Sequence, residues 1–164
     1  MIKGKTHKFG ANIDTDAIIP SLYANLTVPT ELGKHCMEGI APEFSKNVRP
    51  GDIIMATSNF GCGSSREVAP ISIKGAGVSC VIAKTFARIF FRNSINIALP
   101  LLECPEAVDN TSQDDELEID LTSGKIHNIT KDMFFTAASY PDFIQGIIDA
   151  GGLIEYTKKR RAGK

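Results

Sequence analysis

Residues 53–84 read IIMATSNFGCGSSREVAPISIKGAGVSCVIAK. Two short apolar runs, 53–57 and 77–84, bracket a glycine–serine loop and a stretch that predicts a helix over 66–75. The second run is rich in β-branched residues, and both have the length of buried strands. Pro50-Gly51 marks a turn ahead of the first. TFARIFFRNSIN (85–96) follows as a helix, by the spacing of Phe86, Ile89, Phe90 and Ile97. IALPLLE (97–103) reads as a third apolar strand. The order strand–helix–strand–helix–strand implies parallel strands joined by right-handed crossovers.

Outside this section the pattern changes. Residues 3–9, with lysine alternating, predict a short edge strand. NIDTDAIIP (12–20) is a turn leading into an apolar run stopped by Pro20, and residues 21–29 read as irregular. Residues 30–39 predict a helix with Thr30 as N-cap, Glu31 in its first turn and Gly39 at its close. ELEIDLTSGKIHNI (116–129) alternates on both sides of Ser123-Gly124 and predicts an antiparallel hairpin. PDFIQGIIDAGG (141–152) predicts a helix with Pro141 at its start, and a last short helix carries Lys158, Lys159, Arg160, Arg161 and Lys164. These basic residues match the dipole of a solvated helix end. The expectation is one α/β domain over 1–164, with a mixed, partly parallel sheet flanked by helices.

Composition narrows the function classes. The 164 residues carry a net charge of −1, with 43% hydrophobic and 23% charged. Such a chain has no overall field to recruit nucleic acid or an anionic membrane. No apolar run approaches the ~20 residues a membrane span needs. MIKGKTHKFG lacks the apolar core of a signal peptide, so a cytoplasmic location is expected. Cys36, Cys62, Cys80 and Cys104 are widely and irregularly spaced, without a C-x-x-C pair, which argues against a zinc or iron–sulfur ligand set within the chain. Cys62, between two glycines, reads as a small filler at a tight turn.

The chemistry concentrates in GCGSSREVAP (61–70). Ser64-Ser65-Arg66-Glu67 has the S-x-x-E spacing of a helix capping box. The glycines permit left-handed backbone angles and a close approach. Arg66 falls at the expected first helical turn, where a positive charge opposes the dipole. Its planar fork suits a carboxylate or phosphate there. An anion site with hydroxyls beside it follows. The P-loop spacing fails for want of a lysine, the dinucleotide fingerprint because Arg66 takes the third glycine position, and the G-x-S-x-G elbow is missing.

NFGCGSSRE, followed by AKTFARIFFRNSINIALP and preceded by FGANIDTDAIIP and NVRPGDII, resembles the swivelling β/β/α domain of the aconitase superfamily. The likeness is to its free-standing form, the small subunits of isopropylmalate dehydratases, and spans nearly the whole chain. It implies a heteromeric hydro-lyase that isomerises 2-isopropylmalate and 3-isopropylmalate by dehydration and rehydration, in leucine biosynthesis. A large subunit would hold the 4Fe–4S cluster through its own cysteines. By match to the motifs, Ser64 would be the base, Ser65 and Arg66 would bind a substrate carboxylate, and Asp16 would be an active-site aspartate. Relatives acting on tricarboxylates place a basic residue shortly after the opening motif. SLYANLTVP (21–29) has neither Arg nor Lys, so Tyr23, Leu26 and Val28 are expected to face an alkyl group instead. A different 2-alkylmalate, such as 2,3-dimethylmalate, meets the same condition; homocitrate and a non-catalytic anion-binding role are the remaining alternatives. Val68 departs from the histidine that many relatives carry there. Strand ends that a large subunit would cover also offer the isolated chain a route to self-association.

Overall fold

The structure, a computed structural model, describes residues 1–163. Lys164, the last residue of the basic tail, lies outside them. Among the described residues, seven strands and eight helices follow in the order β1 (Ile2–Lys8), α1 (Thr15–Ile18), α2 (Pro29–Gly33), α3 (Phe44–Asn47), β2 (Ile53–Ala56), α4 (Val68–Gly75), β3 (Cys80–Ala83), α5 (Arg88–Asn96), β4 (Leu101–Glu103), α6 (Pro105–Asn110), β5 (Glu116–Asp120), β6 (Lys125–Asn128), β7 (Met133–Thr136), α7 (Asp142–Ala150) and α8 (Leu153–Ala162). A 3₁₀ turn, Ser21–Tyr23, lies between α1 and α2. The strands form one sheet in the order β4-β3-β2-β1-β5-β6-β7. β1 to β4 are parallel to one another, and β5, β6 and β7 are added antiparallel. The expected α/β architecture with a mixed sheet is therefore what forms.

The period-2 alternation of the buried strands sorts their side chains onto two faces. Ile54, Ala56, Val81, Ala83 and Leu101 pack with Ile18, Ile19, Ala69, Ile73 and Phe90 from the helices. Ile53, Met55, Cys80, Ile82 and Leu102 face the other way, against Leu117, Ile119, Ile126 and Phe135 of the antiparallel half. The sheet thus folds over onto itself and gives two β layers under one helical layer. Continuous apolar runs in β2 and β3 follow from burial on both sides.

Three sequence expectations need correction, and two elements are additions. β1 lies in the middle of the sheet, not at its edge. Its residues 2–5 pair with β5 and its residues 6–8 with β2, while the Thr6 N–H donates to the Asp115 carbonyl and the Lys5 N–H to Asp52 on the remaining flanks. The exposed side chains of Lys3 and Lys5 read like those of an edge strand. The helix expected over 30–39 is only α2, with Val28 as N-cap and Pro29, rather than Thr30, opening it; turns occupy 34–40. α4 begins at Val68 rather than at 66. α6 and β7 were not anticipated, because PEAVDN and MFFT are too short for periodicity to register.

Two polar contacts pin this arrangement. The Tyr140 hydroxyl, on the segment after β7, accepts from the Leu101 N–H at 2.7 Å and donates to the Leu101 carbonyl. Leu101 is buried on the free side of β4, so the phenol satisfies an edge strand that water does not reach. At the seam, buried Asp52 accepts from His7 Nε2 at 2.7 Å and from the N–H groups of Arg49 and Lys5 at 2.9 and 3.2 Å. Burial alone would raise the Asp52 carboxyl; these donors outweigh it and hold the group below the usual carboxylate range.

Replacing Tyr140 by Phe leaves the Leu101 amide without its acceptor and is expected to cost about 1–3 kcal/mol in urea unfolding. A wild-type value within experimental error would show the sheet edge to be satisfied otherwise. The depressed Asp52 carboxyl stabilises the fold above its unfolded pKa of about 3.9, and that contribution is lost as pH falls through and below this value. Asp52→Asn is therefore expected to be less stable at neutral pH and to lose less stability on acidification, as read from melting temperatures across the acid range.

Candidate active site

The site is built by two loops that run side by side. The Gly61 N–H donates to the Ile13 carbonyl at 2.7 Å, and the Thr15 N–H donates to the Cys62 carbonyl at 2.9 Å. Residues Asp14 and Cys62 form an isolated parallel bridge, so the opening motif and the glycine–serine loop make a miniature extension of the sheet. Gly61 and Gly63 have φ of +81° and +93°. A Cβ on Gly61 would lie 2.1 Å from Cγ of Phe90, so the loop passes directly over α5 and tolerates no side chain there. Buried Phe60 anchors it, edge-on to Phe90 at 5.3 Å between centroids.

The capping box read from the sequence does not form. Glu67 is the N-cap of α4 and makes no side-chain cap bond. The Ser64 hydroxyl lies instead 3.0 Å from Thr15 Oγ1. Ser64 therefore stands four residues before the helix, in the loop itself. Ser64 and Ser65 are exposed. Among the described residues, the backbone N–H groups of Ser64, Ser65 and Arg66 donate to no internal acceptor.

Arg66 is half-buried. Its Nη1 bonds to the Asp16 carboxylate and donates to the Ile19 carbonyl at 3.3 Å. Asp16 is in the first turn of α1, which Asp14 caps by accepting from the Ala17 N–H at 2.7 Å. The two acidic residues of NIDTD are thus divided between a turn-capping task and an arginine. Structure brings Ser64, Ser65, Arg66 and Asp16 into one place across ~50 positions of sequence. It adds Thr15, which sequence reasoning passed over, although it sits between the two aspartates.

Residues 21–29 leave this place directly, since Pro20 follows the Ile19 carbonyl that Arg66 contacts. Their side chains diverge. Tyr23 is turned inward, Leu26 packs on the helical core, and Val28 is 52% exposed. Leu22, not singled out from the sequence, is 72% exposed.

The cysteines do not converge. Cys36 is buried in the helical core, and Cys80 and Cys104 lie on the opposite face of the sheet. Burial pushes the Cys36 thiol up to about 12 and raises those of Cys80 and Cys104. Cys62 is partly exposed and apart from the rest. No group of three or more His, Cys, Asp or Glu among the described residues is placed to hold a metal ion. A cluster bound through several thiolates does not fit these residues. No helix among the described residues is long and apolar enough to cross a membrane.

Comparison with known proteins agrees with this geometry. The aconitase C-terminal domain family matches residues 2–107. The 3-isopropylmalate dehydratase small subunit of Caldicellulosiruptor saccharolyticus is 58% identical over 96% of this chain and 91% of its own length. That of Clostridium beijerinckii is 58% identical over 97% and 99%, and that of Methanosarcina mazei 55% over 96% and 97%. The crystal structure of 3-isopropylmalate dehydratase from Methanocaldococcus jannaschii superposes with a TM-score of 0.94 at 47% identity, covering 98% of this chain and 95% of that one. The match to the family model over most of the chain, and the 55–58% identity to relatives along nearly their full length, place this chain in the aconitase C-terminal domain family, among the small subunits of 3-isopropylmalate dehydratase.

Proposed function

We propose that the chain, acting as one swivelling domain in the cytoplasm, is the small subunit of a hydro-lyase that interconverts 2-isopropylmalate and 3-isopropylmalate. The observation that carries the catalytic reading is the grouping at residues 64–66. Two exposed hydroxyls, three backbone amides without internal acceptors and a guanidinium stand together. Such a set suits an anionic substrate and a charge that develops next to it.

In this reading Ser64 removes the proton from the carbon next to a substrate carboxylate. The C–H electron pair forms the new double bond, the hydroxyl on the neighbouring carbon departs as hydroxide, which a proton from solvent converts to water, and an enoate results. Returning the proton to one carbon and water to the other, with the positions exchanged, gives the isomer. A serine alkoxide is costly at neutral pH. Thr15 Oγ1, at 3.0 Å, offsets part of this by donating to Ser64 Oγ, and the neighbouring amides and Arg66 contribute the rest. Arg66 uses Nη1 on Asp16 and Ile19, which leaves the other side of its fork for a substrate carboxylate. Asp16 then aims Arg66, because two carboxylates do not bind each other. Ser65 adds a hydroxyl donor to the same carboxylate.

The family implies an iron–sulfur cluster, and this chain's cysteines are not arranged to ligate one. We place the cluster, and the activation of the departing hydroxyl, on a large partner subunit, which makes this chain inactive alone. The names of the relatives at 55–58% identity, and a segment 21–29 without cationic side chains, favour the isopropyl-substituted acid over a tricarboxylate.

Anaerobic turnover of 2-isopropylmalate is expected only when both subunits are present. Ser64→Ala is expected to lower kcat by on the order of 100- to 10,000-fold while subunit assembly, read by gel filtration, is unchanged. Full activity in that variant would remove Ser64 from the mechanism. Arg66→Lys keeps the charge and loses the fork, so KM is expected to rise about 10- to 100-fold; an unchanged KM would place the carboxylate elsewhere.

A further inference from the structure

One carboxylate holds the segment that leaves the candidate site. Glu38 Oε1 accepts the Tyr23 hydroxyl at 2.8 Å, and Glu38 Oε2 lies 2.6 Å from His35 Nδ1. The Tyr23 and His35 rings are stacked, with centroids 3.7 Å apart and planes 14° from parallel. Two donors on one carboxylate and a ring-on-ring contact make a closed three-residue clamp.

The clamp has a fixed base. Glu38 lies between Met37, whose N–H donates to the Ile18 carbonyl at 2.7 Å, and Gly39, whose N–H donates to the Ala17 carbonyl at 3.2 Å. Both acceptors belong to α1, the helix that carries Asp16. The approach is close: a Cβ on Gly39 would lie 2.6 Å from the Asp16 carbonyl oxygen. Glu38 is thus tied by backbone to the element that aims Arg66, and by side chain to Tyr23. Arg66 itself touches Ile19, and Leu22 is only three residues further on, within ~10 Å along the chain. While Tyr23 is held inward, Leu22 stays 72% exposed.

We infer that Glu38, with Tyr23 and His35, is a positioning set that fixes the 21–28 segment against the Arg66 site, so that an exposed apolar side chain, Leu22, bounds the space for the substrate's alkyl group. Glu38 touches no substrate; it acts through Tyr23. This inference rests on the isomerase reading above.

The test uses the complex with the large subunit and two acids, 2-isopropylmalate and 2-methylmalate. In Glu38→Ala the kcat/KM ratio of isopropyl to methyl substrate is expected to fall about tenfold, through KM of the larger acid, with kcat within about twofold. Glu38→Gln keeps an acceptor for Tyr23 and a bonding partner for His35 and is expected to hold the ratio within about twofold of wild type. Tyr23→Phe, which keeps the stacking and loses the hydroxyl, is expected to fall between them. In the isolated chain, hydrogen exchange at the Tyr23, Ala24 and Leu26 amides, which close the turn, is expected to quicken about tenfold in Glu38→Ala and to stay within about twofold of wild type in Glu38→Gln. An active complex with an unchanged ratio in Glu38→Ala, equal losses on both acids, a failed rescue by Glu38→Gln, or unchanged amide exchange would each overturn the positioning role alone. A wild-type complex inactive on both acids would overturn the isomerase reading, and the selectivity role with it.

Discussion

Everything at the candidate site depends on two backbone hydrogen bonds, from the Gly61 N–H to the Ile13 carbonyl and from the Thr15 N–H to the Cys62 carbonyl, that hold two loops in parallel register. They are possible because Gly61 lies flat on Phe90 at a φ that other residues avoid. With that register set, Thr15 meets Ser64 and Asp16 meets Arg66. Without it, the hydroxyls and the guanidinium would belong to unrelated stretches of chain. The site is therefore an extension of the sheet's hydrogen bonding, carried beyond the strand ends where side chains are free to act.

The same economy governs the polar groups elsewhere. Asp52 closes the seam where β1 changes partners, and Tyr140 closes the free edge at β4. Asp14 spends its carboxylate on the start of α1, while Asp16, two residues on, spends its own on Arg66. A short helix of four residues has little stability of its own. It holds here because its ends are bonded, by Asp14 at one side and by the turn at 37–39 on the other. That turn in turn carries Glu38. A line of contacts thus connects the arginine, the short helix and the segment 21–28 without any large element between them.

Much of this was legible in the residues. The apolar runs 53–57 and 77–84 read as buried strands, and strands form within them at 53–56 and 80–83, because a strand covered on both faces must be apolar at every position. The hairpin at 116–128 was visible in its alternation, and α5 in its helical spacing. The grouping of serines and arginine just after two glycines marked the loop as a place for anions. Less legible were β7 and α6, short elements without the continuous apolar run that marked β2 and β3. The misreading of β1 as an edge strand has a particular cause: Lys3 and Lys5 are exposed on a face of the sheet, and alternating lysines are also the mark of an edge.

Sequence alone determined the strand–helix alternation, the Ser64-Ser65-Arg66 loop that follows two glycines and the wide spacing of the cysteines, since each is a matter of local pattern. Tertiary structure decided what those groups do with one another. Ser64 bonds Thr15 instead of capping α4, Arg66 takes Asp16 as its partner, and Tyr23 turns inward to Glu38 and leaves Leu22 outside. The physical reason is range. A hydroxyl or a carboxylate takes whichever partner folding brings within hydrogen-bond distance. For Ser64 and Arg66 that partner lies 49 and 50 residues away, beyond anything a helical or strand period can encode.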